Sequence, residues 1–261
     1  MFTIDFKDKL FVVTGGNRGI GLAISTAIAG AGGNLAILYR SSTNAEQVAA
    51  DLASEHGISA KAYRCDVSVM KDVRQTIKAV VQDLGPIAGC VANAGVATVK
   101  PAIEIEDREE FDFMFGTNVL GVFNTAQTVA RHWVETGYKN GSIVIISSMS
   151  SQIYNQVGLN EPLCHVFYNS SKAAVSSLGK NLAAEWSRYG IRVNMVSPGY
   201  VRTEQSGVHP EEARRFQAAS VPLQRYSEPE EQTAQVILLL SEHASYQTGS
   251  EVFVDGGCLI Y

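Results

Sequence analysis

Leu10-Phe-Val-Val-Thr14-Gly15-Gly16-Asn17-Arg18-Gly19-Ile20-Gly21 decides how this chain is organised. Leu10–Thr14 is too continuously apolar to leave one face in water, so it reads as a strand buried on both sides. It runs directly into a glycine turn and then into a helix-patterned stretch, Gly19–Ala31. Glycines at such a junction permit a tight turn and let a pyrophosphate approach the backbone at a helix N-terminus, where free N–H groups and the helix dipole favour anions. The spacing is TGxxxGxG, not the common GxGxxG. Gly15, Asn17, Arg18, Gly19, Ile20 and Gly21 are therefore candidate dinucleotide contacts.

Outward from this turn the same alternation repeats. Candidate strands fall at Leu10–Thr14, Asn34–Tyr39, Ala60–Cys65, Ile87–Asn93, Ser142–Ser147, Arg192–Val196 and Glu251–Val254. Between them lie amphipathic stretches near Ala45–His56, Lys71–Leu84, Phe111–Glu135, Tyr168–Tyr189 and Glu230–Ser241. Strand, helix, strand, repeated, predicts an α/β fold: a doubly wound, Rossmann-type parallel sheet with helices on both faces. Such sheets bind ligands at the carboxyl ends of their strands. No linker, repeat or low-complexity tract interrupts the 261 residues, so residues 1–261 are expected to form a single dinucleotide-binding and catalytic domain.

The polar clusters fall at those strand ends. Tyr39 is followed by Arg40, Ser41 and Ser42, where an acidic residue would hold an adenosine 2′-hydroxyl. Guanidinium and hydroxyl groups bind a 2′-phosphate that a carboxylate would repel, and Arg18 adds a second cation, so the cofactor expected is NADP(H). Asp66-Val67 ends the third strand, Asn93-Ala94-Gly95 the fourth, Ser147-Ser148 the fifth and Pro198-Gly199 the sixth. Asn118, inside a predicted helix, is expected to bond a neighbouring backbone.

Tyr168-Asn-Ser-Ser-Lys172 heads the helix Tyr168–Tyr189. Residues four apart share a helical face, so Lys172 lies beside Tyr168. A free tyrosine has a pKa of about 10, and a fixed ammonium favours the phenolate. The pair, together with a bound cationic nicotinamide ring, predicts a phenol brought toward neutrality and usable in proton transfer.

A net charge of −5, with no clustered Lys/Arg stripe, argues against nucleic acid or an anionic membrane as partner. No window is long and apolar enough to span a bilayer. Cys65, Cys90, Cys164 and Cys258 form no CxxC pair, and the first residues lack a secretory pattern, so a cytoplasmic protein with reduced thiols is expected. The histidines are scattered and no metal site is expected. His165, alone among them near the tyrosine, either touches a substrate hydroxyl or, as is usual for a loop histidine, faces solvent.

Together, Thr14–Gly21, Asp66, Asn93-Ala94-Gly95, Asn118, Ser148, Tyr168 with Lys172, Pro198-Gly199 and Asp255-Gly256-Gly257 resemble the short-chain dehydrogenase/reductase family over essentially the whole chain. The stretches Ser147–Gln152, Phe167–Lys172, Leu182–Trp186 and Ser197–Val201 resemble in particular its fungal NADP-dependent mannitol 2-dehydrogenases and sorbose reductases. The resemblance implies that Ser148 orients the substrate oxygen and Tyr168 passes the proton. Lys172 would hold the nicotinamide ribose and lower the tyrosine pKa, while Asn118 would fix a relay water. Val201 and Thr203 would bind the carboxamide. It also implies a homotetramer built on Phe111–Glu135 and Tyr168–Tyr189.

Ser148 stands further ahead of Tyr168 than is usual in the family, with the excess in the loop Met149–Phe167. That leaves Ser147, Ser150 and Ser151 as alternatives for the serine. Gln152, Asn155, Gln156 and Asn160 in the loop would suit a polyhydroxylated ligand. The expected activity is interconversion of a ketose and a sugar alcohol with NADP(H). The alternatives are another keto substrate, such as a β-ketoacyl thioester, or a non-catalytic NADP(H)-binding protein.

Overall fold

The computed structural model describes residues 3–207 and 209–260. Nine strands occur among them: β1 (Leu10–Thr14), β2 (Asn34–Tyr39), β3 (Ala60–Arg64), β4 (Ile87–Ala92), β5 (Ser142–Ile146), β6 (Gln156–Gly158), β7 (Glu161–Pro162), β8 (Arg192–Pro198) and β9 (Glu251–Val254). The α-helices are α1 (Gly19–Gly30), α2 (Ala45–His56), α3 (Met70–Leu84), α4 (Glu109–Phe115), α5 (Val122–Thr136), α6 (Val166–Trp186), α7 (Glu204–Gly207), α8 (Glu211–Ser220) and α9 (Thr233–Leu240).

Seven strands form one parallel sheet in the order β3-β2-β1-β4-β5-β8-β9. The chain winds outward from β1 through β2 to β3, then returns to β1's other side with β4. The switch point thus lies between β1 and β4, and the expected doubly wound architecture is the observed one. No helix among the described residues is long and apolar enough to cross a membrane.

Every residue of β1 is buried, and its alternating side chains serve two cores. Leu10 and Val12 join Ile77, Val129, Trp133 and Val175 on one face. Phe11 and Val13 join Ile24, Ile28, Val236 and Leu239 on the other. Each such side chain contributes roughly 1.5–3 kcal/mol of burial. Trp133 is fully buried and donates its indole N–H to the Ile87 carbonyl at 2.6 Å, pinning α5 against the base of β4. Gly179 lets α6 approach the sheet, since a Cβ there would fall on the Met195 side chain.

Several element limits differ from the sequence expectation. Asn93 falls outside β4 because its side chain turns back to bond the end of β1. β8 continues to Pro198, which pairs with Val254. The predicted helix Phe111–Glu135 is interrupted by a π-helical turn at Gly116–Gly121, which separates α4 from α5. Gly121 in that turn lies so near Val67 that a Cβ would approach Val67 Cγ2 to 2.6 Å.

The hairpin β6–β7 and the helix α8 lie in stretches given no element from sequence. The hairpin forms inside the loop Met149–Phe167 and packs against α8. Gln217 of α8, almost fully buried, donates to the Gln156 carbonyl at 3.0 Å.

Candidate active site

At the carboxyl ends of the strands lies one continuous cleft of about 780 Å³, lined by residues as far apart in the chain as Gly15 and Tyr226. Its first half is built on the glycine turn. Gly15 and Gly19 adopt φ of 65° and 51°, the left-handed region that favours glycine. A Cβ at Gly21 would overlap the Gly15 carbonyl and stand 2.5 Å from Asn93 Nδ2. The turn therefore presents bare backbone at the start of α1, a cradle shaped for a diphosphate.

Asn93 holds this cradle in place. Its amide group donates to the carbonyls of Thr14 (2.9 Å) and Gly15 (3.3 Å). The Thr14 hydroxyl in turn accepts from the backbone N–H groups of Asn93 and Ala94, both at 2.9 Å. Asn17 is buried and donates to Asn44 at 3.4 Å.

Arg18 and Arg40 line the cleft with Ser41 and Ser42. Arg18 pairs with Glu204 of α7 at 3.7 Å, across the mouth of the cleft. The Arg40 guanidinium sits 5.6 Å from the Phe113 ring centroid, a cation–π contact that leaves its charge free for an anion. Val67, Ala94, Gly95, Pro198, Gly199 and Val201 complete the wall.

Three predicted residues stand behind that wall. Asp66 Oδ1 accepts from the Ser68 N–H and hydroxyl. Thr203 packs against the glycine turn, its Cγ2 being 3.5 Å from where a Gly19 Cβ would be. Asn118 lies in the π turn and exchanges two hydrogen bonds with the Val96 backbone, donating at 2.9 Å and accepting at 2.8 Å. Its amide also donates to Ser171 at 3.0 Å. The backbone expected to partner it is thus one far away in sequence.

In the second half of the cleft, α6 places Tyr168 and Lys172 one turn apart, both lining the wall. Tyr168 is hydrogen-bonded to Ser148, and burial nevertheless raises its pKa. Lys172 is 5% exposed, its ammonium 5.7 Å from the Tyr168 ring centroid and donating to the Ile146 carbonyl at 2.9 Å. Burial lowers its pKa to about 8. The expectation that lysine would pull the phenol toward neutrality is therefore corrected for the free protein. Both groups lose water, and desolvation disfavours the charged form of each.

The neighbouring serines separate by direction. Ser148 faces Tyr168. The Ser147 hydroxyl turns away, meeting Ser176 at 2.8 Å and donating to the Lys172 carbonyl at 3.2 Å. Ser150 donates to Asn155 at 2.7 Å, and Asn155 to the Tyr200 hydroxyl at 3.5 Å. Ser151 donates to Glu251 at 3.3 Å.

Sequence reasoning missed Glu251, Tyr200, Gln217, Tyr226 and His209. Tyr200 sits inside the Ser197–Val201 stretch without having been singled out, and Gln217, Tyr226 and His209 come from segments further on that carry no motif. Glu251 was visible only as the first residue of a strand. Its side chain is 5% exposed, and Oε1 accepts from Ser176 (2.6 Å), Ser197 (2.7 Å) and Ser151, with Lys180 3.6 Å from Oε2. One carboxylate thus ties β8, α6 and the turn after Ser148 together. His165, expected to face solvent, is instead buried at 8% exposure, its ring edge-on to Tyr168 with centroids 5.3 Å apart.

A family model described as Enoyl-(Acyl carrier protein) reductase matches residues 15–258. The sorbose reductase SOU1 of Candida albicans is 38% identical over 252 residues, covering 96% of this chain and 87% of that protein. An NADP-dependent mannitol dehydrogenase of Aureobasidium melanogenum is 35% identical, covering 98% of this chain and 94% of its own. Among solved structures, a short-chain type dehydrogenase/reductase from Mycobacterium marinum superposes with a TM-score of 0.90 at 38% identity, covering 99% of this chain and 98% of that one.

Replacing Glu251 by alanine leaves three hydroxyls and a lysine without their shared acceptor. Hydrogen bonds to a buried charge carry roughly 1.5–3 kcal/mol each, non-additively, so the variant should lose about 3 kcal/mol of stability. Urea denaturation measures it, and Glu251→Gln should lose less.

Proposed function

The chain belongs to the short-chain dehydrogenase/reductase family, and from that premise we propose that it is an NADP(H)-dependent oxidoreductase interconverting a ketose, of the fructose or sorbose type, and its sugar alcohol. The observation that carries the chemistry is the convergence of Ser148, Tyr168 and Lys172 on one wall of a cleft whose other half is a glycine-turn cradle flanked by Arg18 and Arg40. The sugar substrate rests on the sorbose reductase and mannitol dehydrogenase relatives, matched over nearly the whole chain.

The cradle at Gly15–Gly21 fits a dinucleotide diphosphate, because the turn closes only with glycine at 21, where a Cβ would strike the Gly15 carbonyl, and it lines the cleft with bare backbone at the start of α1. Gly15, Asn17, Arg18, Gly19, Ile20 and Gly21 would hold that diphosphate. Arg40 and Ser41 would take the 2′-phosphate; Asp66, Val67, Asn93, Ala94 and Gly95 would flank the adenosine half. Pro198, Gly199, Val201 and Thr203 would border the nicotinamide. Bound there, NADP(H) supplies or accepts the hydride exchanged with the carbonyl carbon.

The chain's own residues supply position and the proton. Ser148 orients the carbonyl oxygen toward the phenol. Tyr168, kept neutral by burial, is the proton donor for reduction. Lys172 stands one helical turn away, where it would hold the ribose and where its charge favours the phenolate left behind. Asn118 acts through its anchoring of Val96 and Ser171 and would fix a relay water.

The family model's description favours a second reading, reduction of an acyl thioester. An acidic carrier partner would need a basic docking patch, and a net charge of −5 offers little for one. We further infer a homotetramer in the cytoplasm. Leu120 and Val134, exposed at 49% and 46%, are apolar side chains on one of the segments expected to pair, and the four cysteines are unpaired thiols.

Tyr168→Phe keeps the ring and removes the proton, so turnover should fall on the order of 10²–10⁴-fold while NADPH still binds. Steady-state rates beside fluorescence titration of NADPH check it; near-normal turnover would remove the mechanism. A panel of fructose, sorbose, an unhydroxylated ketone and a ketoacyl thioester, each with NADPH and NADH, tests the substrate class. The ketoses should give the highest kcat/KM, and a clear preference for the thioester would establish the second reading.

Arg40→Asp exchanges attraction for repulsion at the 2′-phosphate. It should weaken NADPH by a few kcal/mol and NADH far less, as is usual when a desolvated charge pair is broken. Titration of both cofactors into the variant decides it, and equal losses would make Arg40 a bystander.

A further inference from the structure

Most polar side chains on the wall of the catalytic half of the cleft are paired with one another. Ser148 bonds Tyr168 and Ser150, Ser150 bonds Asn155, Asn155 bonds Tyr200, and Tyr226 bonds Gln217. His165 breaks the pattern. Among the described residues that line the cleft, its Nε2 is the one buried side-chain nitrogen or oxygen with no hydrogen-bond partner. A buried, unpaired polar group costs free energy in the free protein and is relieved only when something supplies the bond.

His209, from the segment between α7 and α8, faces it with ring centroids 6.1 Å apart and planes tilted by 47°. Two imidazoles that share one hydroxyl, each nitrogen about 2.8 Å from its oxygen, have centroids roughly 6–7 Å apart. The observed gap therefore needs only a small parting of the rings to admit a hydroxyl group.

We propose that His165 and His209 form a two-imidazole clamp for a substrate hydroxyl remote from the reacting carbonyl, and that this clamp sets the preference for polyhydroxylated ketones. The proposal rests on the sugar-ketone reading above. Burial lowers the pKa of both rings, that of His165 to about 4, so each is neutral at pH 7. A neutral imidazole carries one donor and one acceptor, the complement of a hydroxyl. It brings no charge to pair with a carboxylate, and Lys172 is the only lysine or arginine among the described residues lining this half of the cleft. The ring of His165 stacks edge-on against Tyr168, so the clamped hydroxyl belongs to the same substrate molecule whose carbonyl meets the phenol.

The test compares kcat/KM for sorbose or fructose with that for an unhydroxylated ketone of equal chain length, using NADPH. The proteins are wild type, His165→Leu, His209→Leu, the double variant and His165→Gln. Each leucine variant should lower the ketose-to-ketone ratio roughly 10- to 100-fold, mainly through KM, as expected when a polar partner is lost. Because both rings hold one hydroxyl, the double variant should fall little further than the worse single one. His165→Gln, which keeps a neutral donor and acceptor, should recover part of the ratio.

A wild-type preference for ketoses that survives in both leucine variants overturns the clamp and leaves the sugar reading intact. A wild type without that preference overturns both. Parallel losses for ketose and simple ketone would make the histidines structural, and independent, multiplying losses would overturn the shared hydroxyl. Should His165→Leu fail to bind NADPH, the half-buried His209 decides the matter through its own variant.

Discussion

The seam between β1 and β4 is the constraint on which the rest of this molecule depends. Two parallel strands that part company at a switch point leave backbone groups unpaired at their carboxyl ends, and here one threonine and one asparagine satisfy them. The Thr14 hydroxyl takes two N–H groups from the head of the β4 exit, while the Asn93 amide takes two carbonyls from the β1 exit. The glycine turn is thereby held open against the start of α1. A cradle of bare backbone would otherwise collapse onto itself, since Gly21 already stands in contact with Gly15. The dinucleotide half of the cleft is a consequence of this seam.

The catalytic half obeys a different rule, desolvation. Tyr168, Lys172 and His165 are all withdrawn from water, and each is pushed toward its neutral form. A tyrosine so placed holds its proton in the free protein, as the proposed role of proton donor requires. A lysine with a pKa near 8 changes its charge with modest changes in surroundings. Lys172 thus stays largely protonated near pH 7, while burial keeps Tyr168 in its neutral form.

Glu251 supplies the rigidity that this arrangement requires. Its carboxylate gathers hydroxyls from α6, β8 and the turn after Ser148, and Ser176 passes the connection through Ser147 to the Lys172 main chain. The serine and the helix carrying Tyr168 are therefore referenced to one buried charge. On the substrate side the hairpin in Met149–Phe167 leans on α8 through Gln217, so an insertion that reads as a loose loop becomes part of a wall.

The sequence by itself determined the sheet, its winding and the place of the cleft, because periodicity and glycine spacing are local properties of the chain. It placed Tyr168 beside Lys172 for the same reason, four residues being one helical turn. Which serine faces the phenol was beyond its reach, as adjacent hydroxyls differ only in the direction their backbone gives them. The direction of the tyrosine's pKa shift was misjudged, since burial is a property of everything packed around a residue. The π turn at Asn118, the acceptor role of Glu251 and the burial of His165 were likewise decided only by the tertiary structure. Each depends on groups tens of residues away in the chain, brought within hydrogen-bonding or packing distance by the sheet.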